Sequence, residues 1–198
     1  MQVVLATRNA GKRHEFADMF RGTGLFLATL DDFPEATEPK ETDESFEANA
    51  LLKARAAAEA SGLWALGDDS GLCVDALGGR PGVLSARYAP GPDQERWKKL
   101  LGELEGLPPE RRTARFVCAL ALASPGGQTH LESGTCEGRI ALAPRGVHGF
   151  GFDPVFEVAG DPAGRTMAEL STAEKREVSH RGRAFLALEP HLLRLVLG

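Results

Sequence analysis

The chain has 198 residues, of which 42% are hydrophobic and 26% charged, and its formal net charge is −5. This length allows one sizeable core or two small lobes that share one, and the negative charge argues against a protein that binds nucleic acid through a basic face. The longest apolar runs, such as 116–123, are too short to span a bilayer. The first residues do not resemble a signal peptide, and three widely spaced cysteines indicate free thiols in a reducing compartment. We therefore expect a cytoplasmic protein without membrane contact.

The first predicted elements are a strand at 3–6, a small polar loop and a helix. The loop consists of Thr7, Arg8, Asn9, Ala10, Gly11 and Lys12. Unpaired N–H groups and the positive end of the helix dipole favour an anion at such a position. The spacing of a P-loop is absent, so the loop is either a phosphate cradle or an ordinary turn.

A second strand at 25–28 leads into an acidic loop over 31–44, which ends in Glu41, Thr42, Asp43 and Glu44. A helix follows over 45–60, and acids near its start suit the helix dipole. Asn49 and Lys53 are four residues apart and share one face of this helix. We expect a functional role for Lys53 only if that helix face adjoins a binding or catalytic site.

The stretch 64–72 reads as an apolar strand that ends at two adjacent carboxylates, Asp68 and Asp69, followed by Ser70. Neighbouring like charges repel, so the fold must separate them or supply cations or hydrogen-bond donors. Gly67 would allow a backbone or a ligand to approach closely, and Gly71 would allow a tight turn. The stretch is therefore either an Asp-rich turn or a strand-end site for a hard divalent cation.

The middle of the chain contains a helix over 93–104 and two long strands at 113–123 and 128–140, which the turn 124–127 joins into a hairpin. Strands alternate with helices in the first part of the chain and pair as hairpins later. This order predicts an α/β fold with a mixed sheet.

A glycine-rich segment over 146–154 interleaves aromatic residues and precedes a strand at 155–158. Its central residues are Phe150, Gly151, Phe152 and Asp153. Such a loop can place an aromatic ring against a flat ligand such as a nucleobase, and Asp153 can form hydrogen bonds with a polar edge of that ligand. The alternative is a glycine-rich turn that packs on the core.

The last segment opens with a capping box, in which Ser171 precedes Glu174 by three residues. His180, Arg181 and Gly182 interrupt the periodic pattern before a final helix. Together with Lys175, the first two form a cationic cluster that suits phosphate, or a solvated helix surface.

Taken together, the cationic, acidic and aromatic signals describe a nucleoside triphosphate with Mg²⁺. The sequence resembles the inosine/xanthosine triphosphate pyrophosphatase family from Val4 to Phe185. The motifs that carry the resemblance are Thr7-x-Asn9-x-x-Lys12, Ser45-Phe46-x-x-Asn49-Ala50-x-x-Lys53-Ala54, Asp68-Asp69-Ser70-Gly71-Leu72, Gly78-Gly79-x-Pro81-Gly82-x-x-Ser85-Ala86-Arg87-Tyr88, Gly149-Phe150-Gly151-Phe152-Asp153-Pro154 and Ser179-His180-Arg181-Gly182.

The resemblance implies an α/β, two-lobed fold with a central mixed β-sheet flanked by helices and an active-site cleft between the lobes. It implies one domain over 1–198 with an outer lobe at roughly 30–62 and 88–112, and a homodimer. The implied activity is Mg²⁺-dependent cleavage between the α- and β-phosphates of ITP, dITP or XTP, which gives the monophosphate and pyrophosphate and removes these nucleotides from the pool.

Site roles follow from the same resemblance, position by position. Asp69 would be the catalytic carboxylate, helped by Asp68 or by the metal in taking a proton from the attacking water. The metal would be held by Asp69, Glu41 and Asp68; because Ala48 and Lys40 depart from the usual family pattern, the second ligand is left open. The triphosphate would contact Thr7, Arg8, Asn9, Ala10, Gly11, Lys12, Lys53, Ser70, Lys175, His180 and Arg181, and the base Phe150, Gly151, Phe152 and Asp153.

Two other functions fit part of the pattern. One is a pyrophosphatase of the same fold that acts on modified pyrimidine or standard nucleotides, and the other is a nucleotide sensor without turnover. Concentrated carboxylates argue against the sensor, because a binder of triphosphate alone gains little from them in the absence of a metal.

Overall fold

The computed structural model describes residues 1–41 and 45–197, so Thr42, Asp43 and Glu44 of the predicted acidic loop lie outside the described residues. In the described part of the chain, six strands form one sheet in the order β2-β1-β3-β4-β5-β6. Their bounds are Gln2–Leu5 (β1), Phe26–Thr29 (β2), Trp64–Val74 (β3), Thr113–Ala123 (β4), Thr129–Ile140 (β5) and Phe156–Val158 (β6). Strand β1 pairs in parallel with β2 and β3, whereas β5 and β6 are antiparallel. The predicted α/β fold with a mixed sheet is confirmed.

Five α-helices accompany the sheet within the described ranges: Ala10–Met19 (α1), Phe46–Ser61 (α2), Asp93–Glu103 (α3), Thr172–Val178 (α4) and His180–Leu197 (α5). Asn9 and Ser45 cap α1 and α2 by accepting backbone N–H groups of the first turn. The predicted capping box of Ser171 and Glu174 opens α4. In the described residues, no helix is long and apolar enough to cross a membrane.

The prediction of an interruption at 180–182 is wrong. The break lies one residue earlier, at Ser179, whose extended backbone ends α4. His180, Arg181 and Gly182 form the first turn of α5. The fold therefore places Arg181 on a helix, not in a loop.

The chain divides into two compact units, each assembled from separate stretches of sequence. Unit 1 comprises Met1–Asp69, Cys118–Gly134 and Arg181–Gly198; unit 2 comprises Ser70–Val117 and Thr135–His180. The outer lobe expected at 30–62 and 88–112 stays a prediction.

Unit 1 has two apolar clusters. One joins α1 and α5 to the sheet and includes Phe16, Leu66 and Phe185. The other joins α2 to the sheet through small residues such as Ala54 and Ala65. Because Ala65 and Leu66 are neighbours in β3 and belong to different clusters, alternate residues of this strand face different helices.

Unit 2 has its own core, formed where β-strand residues pack on α3 and on the segment after β5. Phe116 and Phe156 belong to this core and pack on each other, with ring centroids 4.5 Å apart. Phe152 is buried there and makes an edge contact with Tyr88 at 6.3 Å. This core supports the glycine-rich segment.

Strand β3 does not end at the paired carboxylates, contrary to the prediction. It continues without a break from Trp64 to Val74, through Asp68, Asp69 and Ser70. Alternation along a strand points neighbouring side chains to opposite faces, and this separates the two charges without a turn. The expected close approach at Gly67 is confirmed: a Cβ there would lie 2.1 Å from the carbonyl oxygen of Ala50 in α2.

Candidate active site

Asp68 is the buried centre of an ion-pair network in unit 1. Its Oδ2 accepts from Arg181 Nε at 2.7 Å, and Lys12 Nζ contacts its Oδ1. The Cys118 thiol donates to Oδ2 at 3.4 Å. Burial alone would raise the pKa of Asp68, but Arg181 and Lys12 outweigh it and hold that pKa well below its usual range. Asp68 is therefore an ionised partner for two predicted phosphate ligands.

Arg181 is fully buried despite its charge. A second carboxylate, Glu15 on α1, accepts from its Nη1 at 2.6 Å. Two acids thus hold the guanidinium, as a buried cation requires. Glu15 was missed in the sequence because nothing local links it to a residue 166 positions away.

Asp69 faces the other helix of unit 1, α2. Lys53 Nζ lies 2.8 Å from its Oδ1, and Asn49 Nδ2 donates to its Oδ2 at 3.2 Å. Burial raises the pKa of Asp69 more than the Lys53 ammonium lowers it. The predicted shared face of Asn49 and Lys53 thus adjoins the predicted catalytic carboxylate.

Glu41 joins the same group through Lys53. Its Oε1 lies 2.5 Å from Lys53 Nζ, so one ammonium contacts the carboxylates of both Glu41 and Asp69. Burial lowers the pKa of Lys53, but the two carboxylates outweigh it and raise that pKa overall. Carboxylate oxygens are the hard ligands that Mg²⁺ prefers, so the two carboxylates that contact the Lys53 ammonium also suit this metal ion. Within 1–41 and 45–197, no group of three or more His, Cys, Asp or Glu side chains is arranged to hold a metal ion.

The predicted phosphate loop lies at the start of α1. Thr7 is buried and accepts from the Asn9 N–H, while Asn9 accepts from the Lys12 N–H. Arg8 is exposed and donates to Asp31 at 2.9 Å, and its backbone N–H donates to Glu38. The structure therefore brings Lys12 to the Asp68 network and directs the Arg8 side chain to the acidic loop.

The glycine-rich segment belongs to unit 2. Asp153 is buried, accepts from the Phe150 N–H at 2.9 Å and contacts Lys175 Nζ. Lys175 Nζ also lies 5.1 Å from the centre of the Phe150 ring. A Cβ at Gly149 would lie 2.0 Å from Asp153 Oδ2, so only glycine fits there. Phe150, Asp153 and Lys175 thus form one cluster.

A further residue holds the same segment. Asp93, the first residue of α3, accepts from the Gly151 N–H at 2.5 Å. The sequence offered no signal for this contact, which spans 58 positions. Phe152, in contrast, belongs to the core of unit 2, and its predicted contact with a base stays a prediction.

His180 and Ser70 are the remaining predicted ligands in unit 2. His180 is buried, and its ring stacks on Phe116 with the centroids 4.7 Å apart. Ser70 is half-buried in β3. The predicted residues therefore fall into two groups. Unit 1 holds Thr7, Arg8, Asn9, Ala10, Gly11, Lys12, Glu41, Lys53, Asp68, Asp69 and Arg181, and unit 2 holds Ser70, Phe150, Gly151, Phe152, Asp153, Lys175 and His180.

Comparison with known proteins gives one consistent family. The family model described as the Ham1 family matches residues 3–191. A dITP/XTP pyrophosphatase of Symbiobacterium thermophilum is 51% identical over 92% of this chain and 90% of that protein. The dITP/XTP pyrophosphatase of Geobacillus kaustophilus is 50% identical over 100% of this chain and 97% of that protein. A solved HAM1 protein from Coxiella burnetii is 39% identical with a TM-score of 0.86, over 98% of this chain and 99% of that chain.

Proposed function

This chain belongs to the Ham1 family, and from that premise we propose that it hydrolyses non-standard purine nucleoside triphosphates, namely dITP, XTP and ITP. The bond cleaved is the anhydride between the α- and β-phosphates, and the products are the monophosphate and pyrophosphate. Relatives about half identical over the full chain are named dITP/XTP pyrophosphatases. The single structural observation that carries the proposal is the contact of Asp69 with Lys53 and, through Lys53, with Glu41.

We propose that the cations of unit 1 bind the triphosphate. Lys12 and Arg181 both pair with the buried Asp68, which fixes their positions before substrate arrives. Preorganised cations stabilise charge that develops on phosphate oxygens without having to reorganise during the reaction. Because Arg181, Lys12 and Cys118 contact the oxygens of Asp68, we propose that holding these cations is its main role, and its predicted contact with the metal stays a prediction.

Asp69 is the proposed catalytic carboxylate, and it would take a proton from the attacking water. In the absence of the metal, burial raises the pKa of Asp69, which makes it a better proton acceptor than an ordinary aspartate. Glu41 and Asp69 would hold Mg²⁺, because their oxygens already surround one cationic group, the Lys53 ammonium. When bound, the metal would neutralise phosphate charge and make the water more acidic.

The Phe150 ring is the proposed stacking surface for the base. Phe150 is partly exposed, whereas Phe152 is buried. Asp153 accepts from the Phe150 N–H and contacts the Lys175 ammonium. It would therefore orient both the ring that meets the base and the ammonium that is predicted to meet the phosphates. If the site forms hydrogen bonds with one particular purine edge, its polar groups stay unpaired when a different base binds. These unpaired groups cost binding free energy, and a large selectivity between bases follows.

The proposal also covers the cofactor, the oligomeric state, the location and the partners. We propose Mg²⁺ as the cofactor, a homodimer from family resemblance, and a cytoplasmic location, which the three free cysteines support. The net charge of −5 supports the absence of nucleic acid as a partner, and we propose no membrane partner.

Pyrophosphate release from ITP, XTP, dITP, ATP, GTP and dTTP, each with Mg²⁺, tests the proposed function. We expect release from the first three substrates at least about 100-fold faster in kcat/KM than from the others, as hydrogen-bond readout of an edge allows. Equal rates with dTTP or ATP would favour a same-fold pyrophosphatase of other specificity. Tight binding without pyrophosphate release would favour a sensor.

A further inference from the structure

Asn49 is a fully buried polar residue in contact with the proposed catalytic carboxylate. Its Nδ2 lies 3.2 Å from Asp69 Oδ2. An ionised carboxylate only accepts hydrogen bonds, so the NH₂ end of the amide must face it. Neither the family resemblance nor the names of the relatives gives Asn49 a role.

Asn49 and Lys53 hold the two oxygens of Asp69 separately. Asn49 donates to Oδ2, and Lys53 Nζ contacts Oδ1 at 2.8 Å. Both side chains come from α2, one helical turn apart, so they reach the carboxylate from the same side. The close packing of α2 on Gly67 of β3 brings the helix near enough for both contacts.

We propose that Asn49 is a positioning residue for Asp69, an inference that rests on the proposed function of Asp69 as the catalytic carboxylate. The final torsion of an aspartate side chain is broad, so one contact alone leaves the carboxylate plane poorly fixed. The Asn49 hydrogen bond on Oδ2 fixes this plane and keeps Oδ1 toward Lys53 and Glu41. The orientation of a reacting group then exists before substrate binds, and such pre-orientation is what speeds the chemical step.

The inference predicts that kcat falls while KM changes little. Asn49 donates to Asp69, whereas the proposed phosphate ligands Lys12 and Arg181 pair with the neighbouring carboxylate, Asp68. Loss of the Asn49 hydrogen bond should therefore slow turnover about 10- to 100-fold, the cost of misplacing a reacting group, while KM changes less than about 3-fold. A purely structural role would lower stability and leave kcat of the folded fraction unchanged.

The first test is a double-mutant cycle with Asn49→Leu, which has a similar shape but no donor, and Asp69→Asn. We expect Asn49→Leu to lower kcat in the parent and to have no further effect in the Asp69→Asn background, because residues that act as a unit are not additive. Ala58→Gly in the buried face of α2 is the matched control, since it destabilises the helix by at least about 1 kcal/mol without replacing a residue that contacts Asp69. Equal kcat losses in both backgrounds would overturn the inference.

The cycle also distinguishes the two proposals. If Asp69→Asn turns over like the parent, the proposed catalytic role of Asp69 fails. If Asp69→Asn is slow and Asn49→Leu is folded and as fast as the parent, only the role of Asn49 fails.

A second measurement needs no activity and no folded Asn49 variant. The chain contains only two asparagines, Asn9 and Asn49, so selective ¹⁵N-asparagine labelling gives two pairs of side-chain amide signals, one pair for each residue. We expect Asp69→Ala to shift the Asn49 amide and to speed its hydrogen exchange, while the Asn9 amide at the start of α1 stays in place. An unshifted Asn49 amide would overturn the inference.

Discussion

Asp68 and Asp69 are adjacent in strand β3, yet their carboxylates contact cations from different helices. Asp68 pairs with Arg181 of α5 and Lys12 of α1, whereas Asp69 pairs with Lys53 of α2. Two neighbouring like charges are thus accommodated by the alternation of a strand and by a separate cation set on each face. This arrangement assigns the two carboxylates different tasks, and the tasks can be tested apart.

Asp68→Asn should destabilise the protein by about 3–5 kcal/mol, because it leaves a buried guanidinium without one of its partners. Glu15 still contacts Arg181, so we expect the lower end of this range. Urea unfolding at pH 7 measures the loss, and Asp18→Asn, which removes a pair with the exposed Arg21, serves as the control. A loss below about 1 kcal/mol, the usual worth of a surface pair, would contradict the buried network.

The same carboxylate predicts acid sensitivity. The folded-state pKa of Asp68 is lowered, so its contribution to stability is present above the unfolded-state pKa of about 3.9 and is lost as the pH falls below it. The parent should therefore lose unfolding free energy more steeply than Asp68→Asn between about pH 5 and pH 3. If the unfolding free energies of the two proteins fell in parallel with pH, the contacts of Asp68 with Arg181 and Lys12 would not stabilise its ionised form.

Asp69→Asn should lower turnover at least about 100-fold, as removal of one proton-transfer group does, with nucleotide still bound. The substitution keeps the shape of the side chain, so stability should change far less than in Asp68→Asn. Steady-state pyrophosphate release and calorimetric titration with dITP measure the two effects, with Asp18→Asn again as the control. Turnover equal to that of the parent would remove Asp69 from the chemistry.

Much of this arrangement was predictable from local patterns. The strands and the helices follow from periodicity and capping residues, and the shared face of Asn49 and Lys53 follows from helical spacing. The roles of the predicted ligands were implied by the family resemblance. The course of β3 was not predictable in this way. The two aspartates followed by a serine and a glycine favour a turn at the end of the strand. The strand continues instead, and one cation that compensates the charge of Asp68, Arg181, lies 113 residues away.

The contacts of Asp93 and Glu15 could not be predicted from local sequence either, because they depend on the tertiary fold. Each residue reads locally as an ordinary acidic position in or at the start of a helix, and only the tertiary fold brings Asp93 to Gly151 and Glu15 to Arg181. Local sequence therefore predicts the helix on which Glu15, Asn49 or Asp93 lies, although it misplaced Arg181. The partners of these side chains depend on long-range packing.

Gly67→Ala should lower both activity and stability. The new Cβ would lie 2.1 Å from the Ala50 carbonyl oxygen and 2.8 Å from the Ala54 nitrogen, both in the backbone of α2. The helix must move away from β3, so Asn49 and Lys53 lose their reach to Asp69. We expect about a 100-fold loss of kcat, typical of a displacement near 1 Å, and about 1–3 kcal/mol of destabilisation.

Gly102→Ala is the matched control for this substitution. Gly102 lies in α3, and a Cβ there would meet no atom within 4 Å. The change should leave kcat unaltered and stabilise the helix by up to about 1 kcal/mol. Unaltered kcat in folded Gly67→Ala would show that the α2–β3 distance does not control the site.

Phe150→Ala should raise KM more than it lowers kcat. Stacking of a base on an aromatic ring contributes about 1–3 kcal/mol, which corresponds to a rise of about 5- to 150-fold in KM. Asp153 accepts from the backbone N–H of Phe150, which the substitution retains, so the loop should keep its shape. Steady-state kinetics with dITP, and calorimetric titration of the Asp69→Asn form with and without Phe150→Ala, measure the effect.

Two further substitutions define what the Phe150 result means. Val147→Ala truncates a side chain of the same segment that is 90% exposed, and we expect neither KM nor stability to change. Phe152→Ala removes a buried ring of the unit 2 core, so it should cost about 3–5 kcal/mol of stability. If Phe150→Ala left KM unchanged while Phe152→Ala raised it in the folded protein, the stacking surface would be Phe152, and the exposure of the two rings would be a poor guide to which one meets the base.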